Sequence, residues 1–249
     1  PLEWNITGSL FHNNGDLDSF VGAIGLDFID SLSLRLEDVV LNQNRAKNGG
    51  AINLNMQSSA MYYYTVSCIM EHVSSTDNQA LNNGGAVFLY GNLGSNYDMG
   101  WRLTNVLVER NVAKFGGFAW TGVPIASIYI DTTIMKDNQA LGQGSAGRGG
   151  CLCFAVSDRW QLNVQGVTFE NNSADWEGSV IYYETSMTNL VTWYFEEVEF
   201  LNNHAGTIGT IYAPMIPEVS GSMEFQSVRW SQNTAKKAPA LYTTAGRLM

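Results

Sequence analysis

The feature that most constrains the fold of this chain is an asparagine that recurs about every 31 residues along its 249 positions. Each asparagine is accompanied by a short pattern: usually an apolar residue three positions before it, Ala two positions after it, and then a Gly-rich step. A repeat of this period is typical of solenoids, in which each repeat buries its apolar face against its neighbours. The recurring residues are Asn14, Asn44, Asn78, Asn111, Asn138, Asn172, Asn203 and Asn233.

Alignment on these asparagines shows how each repeat folds. The residues ten and eight positions before the asparagine are apolar in all eight repeats, as at Trp101 and Leu103. Alternation with a period of two predicts a strand with one buried face. The residues seven and six positions before are nearly all polar, and the alternation then resumes out of phase, so a bend separates two short strands. A third strand follows the Gly-rich step, as at 86–90.

Three short strands per repeat, joined at corners, predict an all-β fold: a right-handed parallel β-helix of about eight coils. No repeat contains a helical periodicity of ten residues, which argues against leucine-rich and βαβ architectures. We expect residues 1–249 to form a single parallel β-helix domain. The repeat is already running at Trp4 and still running at Tyr242, so we expect the chain to be a segment of a larger solenoid or multidomain protein.

The asparagine column has a physical explanation in such a fold. Asn tolerates the left-handed backbone conformation that a tight corner requires, so we expect each of these residues to adopt it. Its amide is both a donor and an acceptor, and strands in adjacent coils lie about 4.8 Å apart, so the amides can form a hydrogen-bonded ladder. We therefore interpret the column as scaffold.

Composition excludes several kinds of partner. The chain has 13 basic and 23 acidic residues and a net charge of −10, which disfavours nucleic acids and anionic membranes. No apolar run approaches the roughly 20 residues that span a bilayer, so we expect no membrane insertion by this segment. Cys68, Cys151 and Cys153 have no disulfide or metal spacing. We interpret them as small buried hydrophobic residues, with Cys151 and Cys153 on one face of a strand, and we expect no cofactor.

Polysaccharide lyases and hydrolases are the enzymes to consider for a β-helix, because many of them have this fold. The spacing of acidic, basic and histidine residues suggests no catalytic set, so we expect no enzyme activity. Glu37 and Glu71 should be neighbours on adjacent coils, with Asp38 beside His72. Carboxylate oxygens are calcium ligands, so Glu37, Asp38 and Glu71 form a candidate calcium site. The alternative is a solvated acidic stripe.

Loops after the third strand are the expected place for binding, because loops carry specificity on a rigid scaffold. They include 56–65, with three consecutive tyrosines, and 91–100, 155–160 and 184–192. Aromatic side chains there could stack on sugar rings or pack on a neighbouring protein, and core or strand positions are the alternative for the tyrosines. Two Asn-X-Ser/Thr triplets make Asn5 and Asn171 candidate glycosylation sites.

The repeat resembles that of the chlamydial polymorphic outer-membrane proteins. The F-x-x-N element stands intact at 11–14, 169–172 and 200–203, and G-G-A-[ILV] stands at 49–52 and 84–87. Proteins of that family are autotransporter adhesins with β-helical passengers, and similar repeats occur in large surface proteins of algae and other protists. The resemblance implies a pectin-lyase-like β-helix at the cell surface or outside the cell.

We therefore expect a non-catalytic structural or adhesive module of a large cell-surface or filament-forming protein. The alternatives are a polysaccharide-active enzyme and a glycan-binding module. The expected partners are other coils or domains of the same protein or neighbouring subunits, with glycans as a further candidate.

Overall fold

The computed structural model describes residues 2–28, 31–56, 64–91, 97–122, 126–142, 146–155, 160–184, 191–214, 222–243 and 247–248. All its regular structure consists of parallel strands, which form four sheets along one right-handed solenoid. The chain visits the sheets, which we call I, II, III and IV, once per coil. Each strand pairs with the corresponding strand of the coils before and after it, except that the two end strands of each sheet pair on one side only.

Sheets I and II contain the two strands predicted before the asparagine. The nine strands of sheet I are β1 (Leu2–Thr7), β4 (Leu32–Glu37), β8 (Tyr64–Glu71), β12 (Tyr97–Thr104), β16 (Ala126–Asp131), β20 (Trp160–Gln165), β24 (Val191–Glu196), β28 (Ser222–Gln226) and β31 (Arg247–Leu248). The eight strands of sheet II are β2 (Leu10–His12), β5 (Val40–Asn42), β9 (Ser74–Thr76), β13 (Leu107–Glu109), β17 (Ile134–Lys136), β21 (Thr168–Glu170), β25 (Glu199–Leu201) and β29 (Arg229–Ser231).

Sheets III and IV follow the asparagine. The six short strands of sheet III are β6 (Arg45–Asn48), β10 (Gln79–Asn83), β14 (Val112–Ala113), β18 (Gln139–Ala140), β22 (Ser173–Ala174) and β26 (His204–Ala205). The eight strands of sheet IV are β3 (Ile24–Phe28), β7 (Ile52–Met56), β11 (Val87–Gly91), β15 (Ala119–Gly122), β19 (Leu152–Ala155), β23 (Ile181–Glu184), β27 (Ile211–Tyr212) and β30 (Leu241–Tyr242).

The predicted parallel β-helix is thus confirmed, with one correction to the coil. Three strands per coil were expected, whereas the alanine two positions after six of the eight asparagines lies in a fourth, short sheet. Sheets I, II, III and IV contain nine, eight, six and eight strands, respectively, whereas about eight coils were expected.

The core fills the solenoid along its length, and similar side chains stack on one another. The column ten residues before the asparagine is inward-facing, and Leu34, Trp101 and Trp193 in it have no exposed surface. In sheet II the rings of Phe169 and Phe200 stack at 5.1 Å between centroids. This in-register stacking explains why the apolar columns of the sequence are so regular, since each side chain packs on its counterpart one coil away.

The corners depend on left-handed residues, but not at the positions expected. The recurring asparagines do not have positive φ; the residue immediately before each of them does, with φ between 53° and 56°, as at Gln43 and Arg110. The bend between sheets I and II uses a second such residue, six positions before the asparagine, as at Asp38 and His72. The left-handed, strained backbone conformation is therefore adopted by residues of varied type whose side chains lie largely outside the core, and not by the buried asparagines.

Candidate functional site

The asparagine ladder runs through the corner between sheets II and III. Each Nδ2 donates to the Oδ1 of the next asparagine, at 2.8 Å from Asn14 to Asn44 and 3.0 Å from Asn78 to Asn111. The same Oδ1 also accepts from the backbone N–H of the preceding asparagine, at 3.1 Å for Asn78. The seven contacts connect all eight residues, from Asn14 to Asn233.

The remaining amide proton of the ladder is also used. Asn111 Nδ2, for example, donates to the backbone oxygen of Ser75 at 2.9 Å. Six of the asparagines have no exposed surface, so an unpaired amide there would be costly. The ladder therefore satisfies its own polar groups and leaves none for a ligand, which suits a scaffold.

The acidic stripe lies on the outer side of sheet I. Glu37 and Glu71 are paired in register on adjacent strands. Arg35 lies between them: its Nη2 is 2.5 Å from Glu71 Oε2 and its Nε is 3.3 Å from Glu37 Oε2. Because the guanidinium already compensates both carboxylates, a cation entering there must compete with it.

Asp38 lies at the corner beside this pair. Its Oδ1 is 3.7 Å from His72 Nδ1, and both side chains are more than half exposed. Among the residues that the structure describes, no group of three or more acidic, histidine or cysteine side chains is placed to hold a metal ion. Calcium binding by Glu37, Asp38 and Glu71 stays a prediction, to be tested by calcium titration of the wild type and of Glu71→Gln.

The two candidate glycosylation sites are exposed. Asn5 lies in β1 on the outer side of sheet I, and Asn171 occupies a left-handed corner position. The next residue, Asn172, is a buried member of the ladder, so a glycan could attach only to Asn171 of this pair. Modification of either site stays a prediction.

The three cysteines are buried and free. Burial raises the pKa of the Cys68 thiol to about 12. The expectation that Cys151 and Cys153 share a face is wrong. Cys151 packs in the core just before β19, whereas Cys153 lies on the outer side of sheet IV, paired with Trp120. The inward phase shifts at the start of sheet IV, where Cys151 and Leu152 are both core residues.

The predicted binding loops fall mostly outside the described residues. The structure does not describe four stretches of these loops, which are 57–63, 92–96, 156–159 and 185–190. Tyr62 and Tyr63 are among these residues. Tyr64 begins β8 in sheet I. The aromatic binding surface predicted for these loops therefore stays a prediction.

An aromatic row on the outer side of sheet IV was not anticipated. Register places Phe88, Trp120, Cys153, Tyr182, Tyr212 and Tyr242 in one line along the solenoid. Neighbouring rings stack at 5.0 Å between Phe88 and Trp120 and at 5.1 Å between Tyr182 and Tyr212. The signal was available in the sequence for four of the six residues. Phe88, Trp120, Cys153 and Tyr182 each directly follow two consecutive core residues, such as Ala86 and Val87.

One end of this row borders an exposed apolar patch. We define the Phe20 patch as Phe20, Val21, Phe88 and Tyr90, which line a hollow of about 380 Å³ together with asparagines. Phe20 is 76% exposed and Tyr90 40% exposed. The backbone oxygen of Phe20 accepts a hydrogen bond from Asn53 Nδ2 at 2.9 Å, which fixes this segment against sheet IV.

A charged cluster covers the middle of the aromatic row. Arg148 Nε lies 3.5 Å from Glu177 Oε2, and its Nη1 lies 3.9 Å from Glu184 Oε1. The guanidinium also stands 4.9 Å from the centroid of the Tyr182 ring. Glu177 is 8% exposed, and desolvation raises the pKa of its carboxyl. Residues 148 and 177 pair across adjacent coils. Because they are far apart in the sequence, sequence analysis did not predict this cluster.

A second hollow, of about 220 Å³, lies on the outer side of sheet I. Its walls include Arg102, Tyr129, Asn163 and Tyr194, which are in register on four consecutive strands. The sequence signal for this hollow is the column nine residues before the asparagine, where aromatic residues flank a smaller one.

Comparison with known proteins gives one family match. Residues 166–184 match the family model of the Chlamydia polymorphic membrane protein repeat. The matched segment runs from the corner before β21 to the end of β23, and so contains Asn172 and the opening of sheet IV. The predicted resemblance to this repeat is thus confirmed at the level of a coil. No curated protein sequence and no solved structure matches the chain.

Within the described residues, no helix has the length and hydropathy needed to cross a membrane.

Proposed function

We propose that this chain is a non-catalytic structural and adhesive module of a larger cell-surface protein. The match to a repeat named for a membrane-protein family supports a surface location. The solenoid supplies a rod about 40 Å long for eight coils, on which side chains from successive coils form continuous rows. Such a rod holds a binding surface at a fixed orientation and distance.

The observation that carries the adhesive part is the Phe20 patch. Phe20, at 76% exposure, and Tyr90, at 40%, are held beside a stacked aromatic pair on a rigid sheet. Exposed aromatic side chains that gather on one face are typical of protein interaction sites, and Tyr and Trp are enriched among the residues that dominate binding energy. We therefore infer that this patch binds an apolar surface of a neighbouring surface protein.

Bead adhesion tests this function. Beads coated with the chain are passed over cell monolayers and over a layer of the same chain, and retention is measured. We expect the double variant Phe20→Ser/Tyr90→Ser to lower retention about fivefold or more, which corresponds to about 1 kcal/mol. Ile134→Ser is the matched control, because Ile134 is 48% exposed on sheet II, away from the patch.

Equal retention of the double variant and of the control would reject the patch as the adhesive surface. An absence of retention for folded wild type on both layers would reject adhesion itself and leave the structural role.

A second candidate function, polysaccharide cleavage, is favoured by the Arg148 cluster. Glu177 has the raised pKa that a general acid needs, and Glu184 is a second carboxylate near the same guanidinium. Glycosidases pair a proton-donating carboxyl with an ionised one across the scissile bond. In this hypothesis Glu177 protonates the leaving oxygen and Arg148 binds an acidic sugar.

A depolymerisation screen on acidic and neutral polysaccharides, with and without calcium, tests this candidate by measuring new reducing or unsaturated ends. Turnover that is lost in Glu177→Gln but kept in Glu37→Gln/Glu71→Gln would assign activity to the Arg148 cluster. The opposite pattern would assign it to the acidic stripe. No turnover on any substrate would leave the adhesive module as the function.

A further inference from the structure

The hollow on sheet I has a regular origin in the register of four strands. Arg102 pairs with Tyr129, Tyr129 with Asn163, and Asn163 with Tyr194. Adjacent parallel strands are about 4.8 Å apart, so the two tyrosines stand roughly 9.6 Å from each other with a short side chain between them. The result is a slot between two aromatic side chains, with Asn163 at its base.

The tyrosines are each held by a contact outside the slot. The guanidinium of Arg102, one coil before, lies 5.7 Å from the centroid of the Tyr129 ring. The hydroxyl of Tyr194 donates to Gln226 Oε1, one coil after, at 2.9 Å. Both partners belong to the coil on the far side of the tyrosine from Asn163, and the hollow is lined by Tyr129, Asn163 and Tyr194 together.

Three polar side chains of the slot are available to a ligand, whereas Asp131 Oδ1 already accepts a hydrogen bond from the Thr132 hydroxyl at 2.9 Å. Asn163 and Gln165 form no side-chain hydrogen bond with any other part of the chain that the structure describes, and Arg102 forms no ion pair there. All three line the hollow together with Asp131. The slot therefore combines two aromatic walls with two amides, a guanidinium and a carboxylate, which can donate to and accept from several hydroxyl groups at once.

The width of the slot indicates the kind of ring that fits. Carbon atoms in contact are about 3.5–4.0 Å apart, so a flat ring between the tyrosines would fill only about 7–8 Å of the roughly 9.6 Å available. A saturated, puckered ring is thicker, because its axial C–H bonds project from both faces toward the aromatic walls. Its equatorial hydroxyls then point sideways, toward the amides and the charged groups.

We propose that the Tyr129–Asn163–Tyr194 slot binds a single pyranose unit of a glycan chain. This inference goes beyond the proposed function, because the slot on sheet I is a separate site from the Phe20 patch and takes a sugar and not a protein surface. The hollow of about 220 Å³ is smaller than the usual 300–1,000 Å³ of drug-sized ligand sites, which suits one sugar ring and not an extended oligosaccharide. Strong adhesion would then come from many such weak contacts on a surface that displays many copies.

Saturation-transfer NMR tests the slot. The probes are the methyl glycosides of glucose, galactose, N-acetylglucosamine and galacturonic acid, each at millimolar concentration. We expect saturation of the ring C–H protons of at least one probe, with a Kd of about 1–10 mM. The variant Asn163→Tyr should lose this signal, because a third tyrosine fills the slot.

The substitution is compatible with the fold and has a matched control. Tyr182, Tyr212 and Tyr242 already stack in successive coils of sheet IV, at 5.1 and 5.3 Å, so three tyrosines in register are accommodated elsewhere in this solenoid. Asn5→Tyr is the control, because Asn5 occupies the same column of sheet I, next to Arg35 and not between two tyrosines. It should bind like the wild type.

Two results would overturn the proposal: no saturation of any probe by the folded wild type, or an undiminished signal in Asn163→Tyr. Bead retention separates this failure from failure of the adhesive function. If glycosides do not bind while retention still depends on Phe20 and Tyr90, the slot is rejected and the adhesive module stands.

Discussion

At the scale of the residue, each buried asparagine of the ladder forms hydrogen bonds through its side-chain oxygen and through both protons of its side-chain nitrogen. Asn111 Oδ1 accepts from both the backbone N–H and the Nδ2 of Asn78, and Asn111 Nδ2 donates to Asn138 and to Ser75. Removal of one side chain therefore leaves several buried groups unpaired in two neighbouring coils. The stability lost when an asparagine is replaced should depend on its position. The first asparagine of this chain, Asn14, donates to the ladder, but its side chain accepts no hydrogen bond from another asparagine.

We expect Asn111→Ala to lower the free energy of unfolding by about 3 kcal/mol or more, since each buried group left unpaired costs about 1–3 kcal/mol. Asn14→Ala should cost about 1 kcal/mol, because Asn44 Oδ1 keeps its contact with the backbone N–H of residue 14. Urea unfolding followed by circular dichroism measures both. Equal losses would show that the ladder's stabilisation does not come from shared hydrogen bonds.

A corner ion pair makes a pH-dependent contribution. Arg110 Nε and Nη2 donate to the two carboxylate oxygens of Asp77 at 2.7 and 2.9 Å, which lowers the pKa of that carboxyl. The stabilisation is therefore complete above the unfolded pKa of about 3.9 and is lost as the pH falls through the lower folded pKa. Both side chains are partly exposed, so the contribution is below about 1 kcal/mol.

We expect Asp77→Asn to lower stability at pH 7 by up to about 1 kcal/mol, and the difference from wild type to vanish as the pH approaches about 2. Thermal unfolding across this pH range measures it. Asp137 occupies the same corner position two coils later. The variant Asp137→Asn should show a smaller loss of stability at pH 7. A loss of the same size for Asp77→Asn at pH 7 and pH 2 would rule out the ion pair as its cause.

At the scale of the element, the step from sheet III to sheet IV is fixed by close backbone contact. A Cβ on Gly85 would lie 2.0 Å from the carbonyl oxygen of Gly117, its counterpart one coil later. Gly50, Gly117 and Gly150 meet the next coil in the same way. Gly100, in β12, has no atom within 4 Å of a Cβ position. The glycine requirement therefore belongs to the corner and not to the strands.

Gly85→Ala should cost about 3 kcal/mol or more, because the two coils must separate locally to admit a methyl group. Gly100→Ala should be neutral or stabilising by up to about 1 kcal/mol, since alanine restricts the unfolded chain more than glycine does. Denaturant midpoints of the two variants measure the contrast. Tolerance of Gly85→Ala would mean that the corner can relax without loss of its hydrogen bonds.

The elements differ in how far the sequence could predict them. Sheets I and II were predictable because their buried residues alternate in every repeat, as at Trp101 and Leu103. Sheet III was missed because its shortest strands have two residues, as in β22, too few for a period of two to be visible. The phase shift at Cys151 and Leu152 was missed for a related reason: two consecutive inward residues break the alternation.

The candidate sites were less predictable, since each joins residues from different coils. The Tyr129–Asn163–Tyr194 slot follows an outward column of the alignment on the asparagines. The aromatic row does not, because its residues stand nine, ten or fifteen positions after the asparagine of their repeat. The Phe20 patch involves a segment of 16–22 that interrupts the repeat, and no column includes it. Contacts within a column can therefore be inferred from alignment, whereas contacts with irregular segments need coordinates.

At the scale of the whole molecule, stability should vary along the axis. Central coils have a neighbour on both sides, whereas β1 pairs only with β4, and the inward-facing Leu2 and Trp4 remain 44% and 41% exposed. In a solenoid the stability of a coil is the sum of its own folding and its contacts with adjacent coils. Within this chain, β1 therefore has contacts with one neighbouring coil, where a central strand has contacts with two.

We expect hydrogen exchange to show this gradient. Amides of β12, β16 and β20 should exchange slowest, and those of β1 should exchange at least about tenfold faster, which corresponds to about 1.4 kcal/mol. Native-state exchange followed by mass spectrometry measures both. Uniform protection along the axis would show that the described coils unfold as one cooperative unit.

The in-register stacking of coils has a mechanical consequence. Neighbouring coils are separated by about 4.8 Å along the axis, yet each contains about 31 residues, which extend to roughly 100 Å when pulled straight. Tension applied between the two ends of the rod would therefore peel one coil at a time, and every coil released would lengthen the tether about twentyfold relative to the space it had occupied. A surface protein built this way can yield under load and still remain attached.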